Sequence, residues 1–134
     1  MIKTQSDIER DFYQFVSNSR LGRVIKGKVY RSDMRPENAK IEDIVVAFLS
    51  GYDGQEQTGE VVVNVYVPDT VYNDKKVRAH ERLANLEALV PTIIEESRGS
   101  EYFVQTNGTP HVMKIDDIKQ HCIGVRLSFK LITD

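Results

Sequence analysis

Two β-branched runs on either side of a glycine-containing loop constrain this chain more than any other stretch. The first is Glu42-Asp43-Ile44-Val45-Val46-Ala47-Phe48-Leu49, which leads into Gly51-Tyr52-Asp53-Gly54-Gln55-Glu56-Gln57-Thr58-Gly59. The second is Glu60-Val61-Val62-Val63-Asn64-Val65-Tyr66-Val67, stopped by Pro68. β-Branched and aromatic side chains fit a pleated, half-buried surface, so the two runs predict an antiparallel pair of strands. Residues 51–59 are polar and carry three glycines, which predicts an exposed, mobile connection. The stretch is a sheet scaffold with a protruding loop and holds no catalytic arrangement.

The last segment alternates with period two. Ile123, Val125, Leu127, Phe129 and Leu131 share one face, and Cys122, Gly124, Arg126, Ser128 and Lys130 the other. The apolar face is expected to cover the core. At the other end, Ser6-Asp7-Ile8-Glu9 has the form of a capping box, and Ile8, Phe12, Phe15 and Val16 recur at helical spacing, predicting a helix over 7–20. Lys28-Val29-Tyr30-Arg31 reads as a short strand, and Arg35-Pro36 suits an exposed loop. Ala79, Leu83, Leu86, Val90 and Ile93 keep a helical period across 75–97, with Gly99 as the stop. Pro91 lacks the amide that would bond the Glu87 carbonyl, so a kink or a restart is expected there.

Residues 101–106 and 111–115 read as strands around Asn107-Gly108, the dipeptide favoured by a tight hairpin turn, with Pro110 keeping the second at an edge. The order is helix, three strands, helix, three strands. Strands occurring in runs predict an α+β fold, a mostly antiparallel sheet packed against an N-terminal helix and a central helix. Its core is expected to include Phe12, Phe15, Val63, Val65, Leu86, Val125, Leu127 and Phe129. No repeat or linker divides the 134 residues, so 1–134 reads as one domain.

Composition excludes several classes. With 40% apolar and 28% charged residues the chain reads as soluble and globular. A net charge of -2 argues against specific nucleic-acid binding, which needs clustered Lys and Arg. No apolar run approaches a membrane span, and Met1-Ile2-Lys3-Thr4-Gln5-Ser6 lacks a signal-peptide core, so no membrane partner and a cytosol-like compartment are expected. A single Cys122 fits a reducing environment. Charge is uneven: Arg20, Arg23, Lys26, Lys28, Arg31 and Arg35 precede an acidic stretch with Glu37, Glu42, Asp43, Asp53, Glu56, Glu60 and Asp69. Either these are two solvated surfaces, or the basic surface of one copy meets the acidic surface of the next.

Catalytic signatures fail one by one. His121 and Cys122 are adjacent on a strand and point to opposite faces, so they cannot act as base and nucleophile together. His80, His111 and His121 fall on three elements without zinc spacing. The run from Gly54 to Gly59 has the glycine spacing of a phosphate loop, but Glu60-Val61 replaces the required Lys and Ser or Thr, and a strand follows where a helix is needed. Asp116-Asp117 reads as a turn. Arg31, Arg35, Glu42 and Asp43 flank one loop, either as a salt-bridge set that fixes it or as a polar small-molecule site near Arg31, Arg35 and Asp43. No metal or cofactor is expected.

The phrase Gly27-Lys28-Val29-Tyr30-Arg31-Ser32-Asp33-Met34-Arg35-Pro36-Glu37-Asn38, then Glu42-Asp43-Ile44-Val45-Val46, resembles small prophage-encoded proteins. So does Gln57-Thr58-Gly59-Glu60-Val61-Val62-Val63-Asn64-Val65-Tyr66-Val67-Pro68. With the leading and central helices, these segments are similar to the tail-completion or tail-terminator proteins of long-tailed phages, the class of the lambda minor tail protein U. The resemblance implies a non-enzymatic virion component, present in the host cytoplasm during assembly. It implies a homo-oligomeric ring, expected to be a hexamer, that caps the tail tube protein and meets head-neck proteins. Arg31, Arg35, Glu42, Asp43, Gln55, Glu56 and Gln57 are then the candidate interface residues.

Overall fold

Thr4, two residues ahead of the expected cap, starts the first helix in the computed structural model, which describes residues 2–115 and 118–132. The Thr4 hydroxyl accepts from the Asp7 amide while the Asp7 carboxylate accepts from the Thr4 amide, each at 3.1 Å. This capping box starts α1 (Gln5–Asn18). Ser19 then caps a separate short helix, α2 (Arg20–Val24), by accepting from the Gly22 amide. The expected helix over 7–20 therefore begins and ends earlier, because Ser19 is a better cap than a helix interior residue.

β1 (Val29–Arg31) runs parallel to β2 (Asp43–Tyr52), which pairs antiparallel with β3 (Glu56–Pro68). The mobile loop expected over 51–59 is mostly strand: Gly51 faces Gly59 and Tyr52 faces Thr58, leaving only Asp53, Gly54 and Gln55 to connect them. Here the glycines allow close packing. A Cβ on Gly59 would stand 2.2 Å from the Ser50 carbonyl oxygen and 2.8 Å from the Phe129 ring. The register slips between Phe48 and Ser50, so Leu49 sits in an irregularity of β2.

A detached hairpin follows, β4 (Thr70–Tyr72) and β5 (Lys75–Val77), turned by Asn73 and Asp74, both at positive φ. Residues 75–77 are thus strand and not the start of the central helix. That helix is two pieces, α3 (His80–Glu87) and α4 (Pro91–Ser97), with Pro91 in the first turn of the second. The expected interruption is a restart, and Gly99 at φ 83 follows the end of α4.

β6 (Tyr102–Thr106) and β7 (His111–Ile115) do not form the hairpin expected around Asn107-Gly108. Both pair antiparallel with β8 (Gln120–Ile132), one after the other along the same strand. Residues 107–110 jog between them opposite Val125 and Arg126, and the Asn107 amide still reaches the Arg126 carbonyl. β8 pairs with β3 along its other side, so its long apolar face outcompetes a local turn. The strand order is β1-β2-β3-β8-β6, with β7 also beside β8. This is the α+β fold with a mostly antiparallel sheet that the sequence predicts.

Helices cover one face of the sheet. Phe12, Tyr102 and Phe129 stack at 5.2–5.8 Å between ring centres, and Phe15 joins them edge-on. Val61, Val63, Val65 and Leu127 of the sheet and Ile93 of α4 are fully buried in this core. Each such side chain contributes about 1.5–3 kcal/mol. Of the expected core residues only Phe15 remains half-buried. The expected turn at Asp116-Asp117 lies outside the described residues. Among the described residues no helix is long and apolar enough to cross a membrane.

Candidate functional site

Residues 32–41 carry too few apolar side chains to pack by themselves, and one arginine holds them to the sheet. Arg35 donates from Nε to Asp43 at 3.0 Å, and from Nη2 to the Gln120 side chain at 3.0 Å and the Ile41 carbonyl at 3.2 Å. Its guanidinium lies 4.2 Å from the centre of the Tyr66 ring. Gln120 in turn donates to the Ala39 carbonyl, and Asp43 accepts from the Lys28 amide. The Arg35 side chain is 9% exposed and that of Asp43 1%. Burial raises the Tyr66 hydroxyl above the ordinary tyrosine range.

The neighbouring charges form separate centres. Glu42, buried just ahead of β2, takes two bonds from Arg82 of α3, at 2.7 and 2.8 Å, and one from the Lys26 amide. Arg82 also donates to the Val24 carbonyl, tying α2, α3 and β2 at one point. Burial works to raise the Glu42 pKa, but Arg82 and the Lys26 amide outweigh it and hold the carboxyl below its ordinary value. Arg31 donates to Glu9 of α1 at 2.9 Å, and Ser32 donates to the other carboxylate oxygen. Burial opposes ionisation of Glu9 as well, yet Ser32, Arg31 and the Phe48 amide lower its pKa.

The candidate interface residues therefore do not stand together on a free surface. Arg35, Glu42 and Asp43 are enclosed, and Arg31 is half-exposed against Glu9. Arg35 of the basic segment and Asp43 of the acidic stretch meet inside one copy, so these two charges are already paired within the fold. Gln57 is buried too: it exchanges two bonds with the Lys3 backbone, at 3.0 and 2.8 Å, which hold the segment preceding α1 against β3. Lys3 continues that clasp to Asp11 and Glu101, and Asp11 accepts from the Tyr102 hydroxyl at 2.6 Å. Glu56 and Gln55 are exposed at the end of the β2–β3 hairpin, and Glu56 pairs with Lys130 at 3.1 Å.

Sequence reasoning missed Arg82, Gln120, Glu9 and Asp69. Their partners lie 22–85 residues away, and no local pattern signals such a distance. His121 and Cys122 do lie on opposite faces. His121 meets Asp69 at 2.6 Å, while Cys122 is buried opposite Tyr66 and Met113. Burial pushes the Cys122 thiol up to about 12, so it stays protonated and unreactive at neutral pH. Among the described residues, no three His, Cys, Asp or Glu side chains converge as metal ligands.

Two clefts flank these centres. One of about 420 Å³ lies between Lys26, Lys40 and Arg82 over Val67 and Pro68. Another of about 360 Å³ lies beside Arg35, bounded by Asp33, Glu37, Val45 and Tyr66. Both are polar-rimmed surface grooves in which the strongest donors already have partners inside the fold. Neither a scan against protein-family models nor a search of curated proteins finds a match to this chain.

Proposed function

We propose that this chain is a non-enzymatic tail-completion protein of a long-tailed phage, one that caps the tail tube as a ring of copies and helps join tail to head. The resemblance of residues 27–38, 42–46 and 57–68 to such proteins motivates the assignment. The observation that carries it furthest is the fate of the polar side chains in those segments. Arg31, Arg35, Glu42, Asp43 and Gln57 are all consumed in holding the sheet, its helices and the 32–41 loop in one shape. A protein that works by contact needs that rigidity and no reactive group.

The competing assignment is a ligand-binding or enzymatic domain acting near Arg31, Arg35 and Asp43. It is disfavoured because Asp43, Gln120 and the Ile41 carbonyl already take the Nε and Nη2 donors of Arg35, and Tyr66 lies against its guanidinium. Electron microscopy of the purified protein, alone and with isolated tail tubes, tests the proposal. Rings seated on tube ends are the expected result. A protein that never associates with tubes, and whose gene lies among metabolic genes and away from portal, head and tail genes, would overturn it.

A further inference from the structure

We propose that neighbouring copies join edge to edge, with β6 of one copy pairing antiparallel with the 49–52 end of β2 in the next, so that a single sheet runs through the assembly. This rests on the ring reading above and names the surface that closes it.

The sheet has two open edges. β1 covers β2 only at Ile44, Val45 and Val46, and Glu9 takes the Phe48 amide just beyond. From Leu49 to Tyr52, β2 has no partner strand on its outer side among the described residues. On the opposite side, β6 pairs with β8 alone among the described residues. An unpaired edge is a template for another strand unless it is blunted or covered.

These two edges lie at the same level of the sheet. One row runs Ser50, Glu60, Ser128, Gln105, and the next runs Tyr52, Thr58, Lys130, Phe103. Each row crosses four strands, antiparallel at every step, so β2 and β6 point in opposite directions. Two copies in the same orientation, placed side by side, therefore bring β6 against the next β2 with the antiparallel alternation unbroken. An odd number of strands would have forced a parallel junction or an inverted copy. The even count makes the head-to-tail contact, the kind that generates rings, the natural continuation of the sheet.

The side chains agree with the backbone. Tyr52 is 75% exposed and Phe103 62% exposed, and both project from the face that the helices leave open, since directly paired residues share a face. Beside Phe103 lies a concavity of about 410 Å³ bounded by Ser100, Glu101, Tyr102 and Lys130. A tyrosine from the next copy has the size and amphipathic character to fill it, with its ring on Phe103 and its hydroxyl toward Lys130.

The test uses engineered cysteines in a Cys122→Ser background, with the fold checked by circular dichroism, at high protein concentration and with isolated tail tubes. Tyr52→Cys and Phe103→Cys are both on exposed side chains. Mixing the two single variants is expected to give a disulfide-linked heterodimer, and the double variant a ladder of multimers ending in a closed species. Self-linking of Tyr52→Cys alone would mean two-fold pairing of β2 edges and would overturn the proposal. Rings visible by microscopy without any 52–103 link would overturn it while leaving the ring reading intact. Absence of both rings and links would overturn the two together.

Discussion

Removing the Arg82 guanidinium strands a buried carboxylate. Glu42 is 4% exposed and loses two bonds of 2.7 and 2.8 Å, keeping only the Lys26 amide at 3.2 Å. Deleting one partner of a buried ion pair costs about 3–5 kcal/mol. The surviving amide and the partial exposure of Arg82 place Arg82→Ala at the low end, about 3 kcal/mol at neutral pH, or roughly 10 °C in Tm for a domain of this size. The pH dependence gives a sharper check. In the parent protein the folded pKa of Glu42 lies below its unfolded value of about 4.3, so its contribution is present above that value and lost as pH falls through the folded one. Without Arg82, burial dominates and raises the folded pKa above the unfolded one. The penalty is then absent below the unfolded value and grows as pH rises. Urea titrations followed by circular dichroism should therefore show a large loss near pH 7 that shrinks toward pH 4. A Glu42→Gln/Arg82→Ala double variant is expected to recover part of the neutral-pH loss. Equal losses at both pH values, or an unchanged midpoint at pH 7, would refute the buried-pair account.

Leu127, fully buried at the centre of β8, should cost about 2–5 kcal/mol on replacement by alanine, and an unaltered urea midpoint would count against its central position. Arg35→Glu sets a second carboxylate against the enclosed Asp43 and should destabilise far more than Arg31→Glu, whose site is 38% exposed; equal midpoints for the two variants would contradict this ranking. Cys122 should resist a thiol-reactive dye at pH 8 in the folded protein and react once the chain is unfolded in urea, and fast labelling of the native state would show the thiol is not enclosed.

Period and punctuation made most elements legible. The alternation over 122–131 marks a strand whose apolar face is buried, and Pro91 marks a helix boundary because the missing amide acts within its own turn. Pairing partners were not legible. Asn107-Gly108 has the chemistry of a hairpin turn, yet β8 claims both flanking segments, a competition that only long-range register reveals. Glycines at 51 and 59 signal flexibility in isolation but face each other across β2 and β3 beneath two phenylalanine rings. The sequence groups the charged residues around the 32–41 loop, but they divide into separate centres whose partners, Glu9, Tyr66, Gln120 and Arg82, come from distant elements.

The place of β8 in the sheet governs when this chain can fold. It is bonded to β3, β6 and β7, and its register joins Glu56 to Ile132 and Pro68 to Gln120. During synthesis the β2–β3 hairpin leaves the ribosome well before residues 120–132 exist. For that interval β3 offers Val61, Val63, Val65 and Val67 along an unsatisfied edge, with neither its partner strand nor the completed core to shelter them. Closing so many distant contacts slows folding, and an exposed β-branched edge invites association with other nascent chains. Closure of the sheet thus waits for β8, and high-level expression should benefit from slower synthesis or from chaperones that hold β3 until β8 arrives.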